Sequence, residues 1–172
     1  MKKTMTLLLF ATAIALTGCD WIKSLGEVDF STDLTVNIPV TVSSGSKTTL
    51  NYTASSELKL ADNEDVEPYL DKLRKIDLNS VVITITGLVP GQTINTLSLD
   101  VTGGGTLFTQ NNITSTSNSF TPQVDAAKLN QAGEKLKNER KITLTVSGTA
   151  SGPMVFNAGV LFDAKITAGA LD

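Results

Sequence analysis

Apolar and polar residues alternate with a period of two over most of the chain, which is the pattern of β-strands that bury one face. The strongest stretches predict strands at residues 34–42, 50–54, 81–86, 97–102, 142–147 and 156–166. Weaker stretches at 106–110 and 117–121 predict two further strands. Such one-sided alternation is typical of antiparallel sheets with one wet face.

Turn residues and one proline suggest how these strands are ordered. Ser43–Ser46 predicts a turn that joins the first two strands as a hairpin, and Gly148–Pro153 predicts a hairpin loop between the last two. Pro39 falls on the polar side of the first strand and cannot donate to a strand ladder, so this strand is predicted at a sheet edge.

Two segments have a helical period instead. Residues 62–77 carry an apolar stripe, acidic residues near the start and basic residues near the end, which complements the helix dipole. A second helix is predicted over residues 125–138, with Asp125 as its N-cap. Gly133 lies inside this second helix and costs it about 1 kcal/mol relative to Ala.

These elements predict one mainly β domain in a chain of 172 residues. Without a strand–helix–strand rhythm, the simplest architecture is an antiparallel two-sheet β-sandwich with two short helices. A half-open barrel is the alternative.

Composition narrows the chemistry further. The chain has no His and one Cys, which excludes an imidazole base, a Cys/His zinc site and a disulfide within one chain. The formal net charge is −3, with no block of basic residues, so nucleic acid is not a predicted partner. The sequence predicts no enzyme and no cofactor.

The N-terminus has the layout of a secretory signal. Lys2 and Lys3 precede an uncharged run from Met5 to Leu16, which is too short to span a bilayer. The sequence Leu16, Thr17, Gly18, Cys19 follows, and it resembles the lipobox of bacterial lipoproteins. The resemblance implies cleavage before Cys19, acyl chains such as palmitate on Cys19, and recognition of the three residues before it.

The resemblance, together with the strand pattern, divides the chain into a signal peptide (1–18), a lipidated tether (19–33) and a β-sandwich domain (34–172). The Thr-, Ser- and Asn-rich body is similar to lipoproteins of Bacteroidota type. The implied location is the cell envelope, lipid-anchored at the outer membrane or at the periplasmic face of the inner membrane. Asp20 resembles an inner-membrane retention signal in one bacterial group and part of an export signal in another, so the face stays open.

One acidic cluster is a weak candidate for a metal site. Asp62, Glu64 and Asp65 offer the oxygen ligands that Ca²⁺ prefers. The segment lacks the glycine and the terminal glutamate of an EF-hand loop. The alternative interpretation, the acidic start of the first predicted helix, is favoured, and no metal is predicted.

The function predicted from these features is a membrane-anchored, non-catalytic lipoprotein of the cell envelope that serves as a binding or structural module. Its partners are the membrane, through the lipid on Cys19, and an envelope protein or a glycan, with protein favoured because aromatic residues are few. The alternative is a carrier or sensor of an apolar ligand, because apolar residues occur on both faces near Val81–Ile83 and Val160–Phe162. Such a carrier needs an internal apolar cavity.

Overall fold

The computed structural model describes residues 26–45, 49–102 and 104–170. Within these residues there are eight strands: β1 Glu27–Val42, β2 Leu50–Lys59, β3 Leu73–Thr86, β4 Thr93–Val101, β5 Gly105–Thr114, β6 Ser119–Phe120, β7 Lys141–Ala150 and β8 Met154–Gly169. One α-helix, α1, spans Ala126–Glu139, and two short 3₁₀ turns span Leu60–Asp62 and Glu67–Lys72.

The strands pair as a ribbon folded back on itself. β1 pairs with β8, β2 with β7, β3 with β6 and β4 with β5, all antiparallel. Two further pairs, β3 with β8 and β4 with β7, join the ribbon into two four-stranded sheets. Sheet A has the order β1-β8-β3-β6 and sheet B the order β2-β7-β4-β5. Eight strands wrapped in this way form a jelly roll, which is a two-sheet β-sandwich.

The core fills the space between the two sheets. The inward positions of both sheets are apolar and buried, and Phe156 and Phe162 of β8 are among the largest fully buried side chains. Outward positions alternate with them and are polar on most of β1 and β2. The predicted mainly β, antiparallel two-sheet sandwich is therefore confirmed, and the sheets do not close into a barrel.

Both predicted hairpins are wrong. β1 and β2 lie in different sheets, and so do β7 and β8. The chain passes from one sheet to the other between β1 and β2 and again between β7 and β8, and each of these strands pairs with one that is distant in sequence. The edge position predicted for the first strand from Pro39 is confirmed, since β1 is the outermost strand of sheet A.

The predicted helix over residues 62–77 is also wrong. The segment contains 3₁₀ turns up to Lys72 and then enters β3 at Leu73. Ile76, assigned to the apolar stripe, is buried in β3 opposite Ile166 of β8. Pro68 stands in the second 3₁₀ turn, and so short a helix gains less than the strand gains by pairing and burial.

Strand β1 begins at Glu27, so residues 27–33, which were predicted to belong to a tether, are part of the sandwich. Val28 and Phe30 continue the inward alternation of β1, a signal that the charged residues Glu27 and Asp29 obscured. Asp29 is held by Thr167 of β8, and this hydrogen bond is the main cause that lowers the pKa of Asp29.

The second predicted helix is confirmed as α1. The side chain of Asp125 caps it by accepting a hydrogen bond from the backbone N–H of Ala127 at 2.8 Å. Its narrow apolar stripe, Leu129, Ala132 and Leu136, is buried, mainly against β3. In the part of the chain that the structure describes, no helix has the length and hydrophobicity needed to cross a membrane.

Candidate functional site

The predicted processing residues cannot be placed. Leu16, Thr17, Gly18 and Cys19 lie outside the described residues. Acylation of Cys19 therefore stays a prediction.

The acidic segment that was a candidate calcium site forms a turn that contacts β1. Asp65 accepts a hydrogen bond from the hydroxyl of Thr32 at 2.8 Å. The side chain of Asn63 accepts from the backbone N–H groups of Asp65 and Val66 and donates to the carbonyl of Asp33 at 3.0 Å. Asp65, Asp33 and Asp163 line an open groove of about 430 Å³. Among the described residues no three acidic side chains come together in a way that could hold a metal ion.

The most regular polar feature is the outer face of sheet B, which we call the hydroxyl face. Its side chains lie in rows that cross all four strands in the order β2, β7, β4, β5. The rows are Asn51-Thr149-Thr96-Asn111, Thr53-Ser147-Ser98-Thr109 and Ser55-Thr145-Asp100-Thr106. Eleven of these twelve side chains are uncharged hydroxyls or amides, as the three rows show.

Neighbouring side chains on the hydroxyl face bond to one another across the strands. Ser55 and Thr145 lie 2.8 Å apart, Thr96 and Thr149 2.9 Å, and Ser98 and Thr109 2.8 Å, measured between hydroxyl oxygens. Thr106 donates to the carboxylate of Asp100 at 2.6 Å. Cross-strand pairs of this kind stabilise a sheet by roughly 0.2–1 kcal/mol each, and here they also hold the side chains in fixed positions.

Gly148 on β7 allows this strand to approach β4 closely beneath the hydroxyl face. A Cβ at this position would lie 1.9 Å from the carbonyl oxygen of Thr96 and 2.9 Å from the hydroxyl of Tyr52. That hydroxyl instead donates to the same carbonyl oxygen at 2.8 Å, and the ring packs edge-on against Phe156. Burial raises the pKa of Tyr52, so its hydroxyl stays protonated at neutral pH and remains a donor to the Thr96 carbonyl.

Charged residues lie at the rim of the hydroxyl face. Lys141 donates to Glu57 at 2.8 Å, and this bond is the main cause that lowers the pKa of Glu57. Lys59 lies 3.5 Å from the same carboxylate. No described charged side chain is buried anywhere in the sandwich.

The outer face of sheet A carries a shallow groove of about 350 Å³. Gly159 of β8 has no side chain to fill the groove, and Val82 and Leu161 are half-exposed beside it. Its lining also includes polar side chains, among them Asn37 and Thr84. The groove opens to solvent, unlike the enclosed cavity expected for an apolar-ligand carrier.

Sequence reasoning missed the hydroxyl face. The signal is present as Ser, Thr and Asn at alternate positions of four strands, but each strand alone shows only an ordinary wet face. Only the register between the strands brings these side chains into rows.

No protein-family model matches this chain, and no curated protein sequence matches it. Among solved structures, it is similar to a chain of Desmodium yellow mottle tymovirus, with 12% identity, a TM-score of 0.36 and coverage of 83% of this chain and 91% of that one. Turnip yellow mosaic virus matches with 10% identity, a TM-score of 0.40 and coverage of 84% and 83%. Mud crab tombus-like virus matches with 8% identity, a TM-score of 0.38 and coverage of 100% and 92%.

These matches contradict two predictions, because all three are virus structures. One prediction found wrong is the role as a membrane-anchored envelope module, with its apolar-carrier alternative. The other is the location in the cell envelope. Neither is carried further. The low identities and TM-scores transfer no role in a virus particle to this chain.

Proposed function

We propose that this chain is a non-catalytic structural domain that works by contact between the hydroxyl face and a macromolecular partner. The observation that carries the proposal is the distribution of charge. Every described Asp, Glu, Lys and Arg is at least partly exposed.

Catalysis by side chains needs a different arrangement. Enzymes hold acids, bases and nucleophiles in clefts where burial and neighbouring charges shift their pKa values. Here the shifted carboxylates and lysines are exposed members of surface ion pairs, and the one strongly shifted group, Tyr52, is engaged in packing. Together with the absence of His from the sequence, this supports a role without chemistry.

The composition of the hydroxyl face indicates what kind of partner it would suit. It offers hydrogen-bond donors and acceptors in fixed rows with little charge, so it suits a neutral, polar surface. A protein is favoured over a glycan, because sugar sites commonly use aromatic platforms. Tyr52 is buried in the core, and Tyr69 packs on Phe30 of β1. Nucleic acid is disfavoured by 17 acidic residues against 14 basic ones.

Thermal unfolding in the presence of small molecules tests this proposal. We expect the Tm to stay unchanged with ATP, N-acetylglucosamine, palmitate and CaCl₂. A small ligand at one hundred times its Kd would add about 2.7 kcal/mol of stability, which corresponds to a rise of roughly 5–11 °C for a domain of this size. A rise in Tm of that order would contradict the proposal if an Ala substitution of a groove residue abolished it. The chain would then have a small-molecule site.

A further inference from the structure

The groove on the outer face of sheet A has apolar walls, unlike the hydroxyl face. Leu161 of β8 lies directly opposite Val82 of β3, and both side chains are half-exposed. Further along the same face of β8, Val155 is 65% exposed. The three rows of the hydroxyl face contain no apolar side chain. The two outer faces of the sandwich therefore suit different contacts.

Gly159 leaves a gap beside this apolar pair. It lies two residues before Leu161 on β8, between Asn37 of β1 and Thr84 of β3. A Cβ at residue 159 would lie 3.3 Å from the carbonyl oxygen of Thr84 and 3.4 Å from the side-chain oxygen of Asn37. Because the glycine leaves this position open, the groove of about 350 Å³ has room for an aliphatic side chain from outside.

Two carboxylates, which we call the acidic pair, stand at one end of the groove. Asp33 of β1 lies opposite Asp163 of β8, in the next outward-facing position after Leu161. Among the described residues neither forms an ion pair, and Lys165, two residues further on β8, lies 3.0 Å from Asp29 instead. Like charges directly opposite each other destabilise a sheet. A cation bound from outside would relieve this repulsion.

The groove and the acidic pair are spaced as the side chains of an extended chain are. Gly159, Leu161 and Asp163 all fall on the outer face of β8, so about 7 Å separates each from the next. Alternate side chains of an extended segment have the same spacing. When one side chain of such a segment lies in the groove, another, two or four residues further on, reaches the acidic pair.

Charge decides which kind of partner fits this surface. The carboxylates of the acidic pair repel the phosphates of nucleic acid and of anionic lipid. In the described parts of the chain no three acidic side chains could hold a metal ion. An ammonium or guanidinium group on a flexible side chain complements the acidic pair, and an aliphatic neighbour complements the groove.

We propose that this groove binds an extended segment of a partner protein that carries an aliphatic and a basic side chain. The aliphatic side chain packs on Leu161 and Val82 above Gly159. A Lys or Arg side chain, two or four residues away, lies against Asp33 and Asp163. The groove and the hydroxyl face belong to opposite sheets, so this proposal does not depend on the proposed function.

Selection of random nine-residue peptides, displayed on phage, against the immobilised chain tests the proposal. We expect selected peptides to carry Lys or Arg two or four positions from Leu, Ile or Val. Their Kd should rise about fivefold in Asp33→Asn/Asp163→Asn and should also rise with NaCl concentration. Leu161→Thr should raise it several-fold.

Glu134→Gln/Glu139→Gln is the matched control. It removes the same two negative charges from exposed positions on α1, outside the groove, and should leave the Kd unchanged. Thermal melting of each variant sets the temperature of the binding measurements below its Tm.

Four results would overturn the proposal. The first is no enrichment of peptides above the bare immobilisation surface. The second is a set of selected peptides without a basic residue. The third is a Kd that rises equally in the α1 control and in Asp33→Asn/Asp163→Asn, or that Leu161→Thr leaves unchanged. The fourth is a set of peptides that bind Asp33→Asn/Asp163→Asn normally and lose binding in Thr109→Lys, on the hydroxyl face, which would support the proposed function alone.

Discussion

Gly148→Ala is expected to lower the free energy of unfolding by at least about 3 kcal/mol, because overpacking against rigid backbone is among the most destabilising single changes. The new methyl group would lie 1.9 Å from the carbonyl oxygen of Thr96, a backbone atom of the neighbouring central strand. It would also displace the Tyr52 hydroxyl from that oxygen. Chemical denaturation, followed by far-UV circular dichroism, measures the change in the free energy of unfolding.

Ser147→Ala is the matched control for this prediction. It lies one residue earlier on β7, its side chain is on the outer face, and it should change stability by no more than about 0.5 kcal/mol. If Gly148→Ala proved as stable as Ser147→Ala, the close approach of β7 to β4 at this point would be wrong.

Gly133→Ala is expected to destabilise the domain by about 2–3 kcal/mol, although alanine is the better helix former by about 1 kcal/mol. A Cβ at residue 133 would lie 2.4 Å from the carbonyl oxygen of Ile76, so α1 would have to move away from the edge of β3. The same substitution in an exposed helix would stabilise it, which makes the sign of the effect diagnostic. Denaturant midpoints of the two chains measure it.

Asn130→Ala tests the helix without the contact. Asn130 is exposed on α1, so its replacement should raise stability by a few tenths of a kcal/mol through helix propensity alone. A gain in both variants would mean that α1 does not rest on β3 at Gly133.

Local patterns predicted most strands and the second helix because each depends on neighbouring residues. The alternation of Leu34, Ile38 and Val40 is a property of one strand, and all three are buried as predicted. The choice of partner strand is not local. The sequence between β1 and β2 contains the turn residues Ser43–Ser46, which also suit a hairpin, yet β1 pairs with β8 from the other end of the domain. Pairing therefore had to come from the structure.

The first predicted helix failed for a related reason. Ile76 fits a helical stripe when read with Tyr69 and Leu73, and it fits a strand when read with Leu78. Burial against β8 decides between the two, and the sequence near residue 70 carries no information about β8. The hydroxyl face escaped prediction in the same way, because its rows exist only once four strands are in register.

The strand pairing decides which side chains share a face, so the proposed function depends on it most. Backbone nuclear Overhauser effects in isotope-labelled protein measure that pairing directly. We expect the backbone protons of Leu161 on β8 to contact both Thr35 of β1 and Val82 of β3, its partners on either side. Contacts in a hairpin register between β1 and β2, with none between β1 and β8, would contradict the jelly roll and the hydroxyl face built on it.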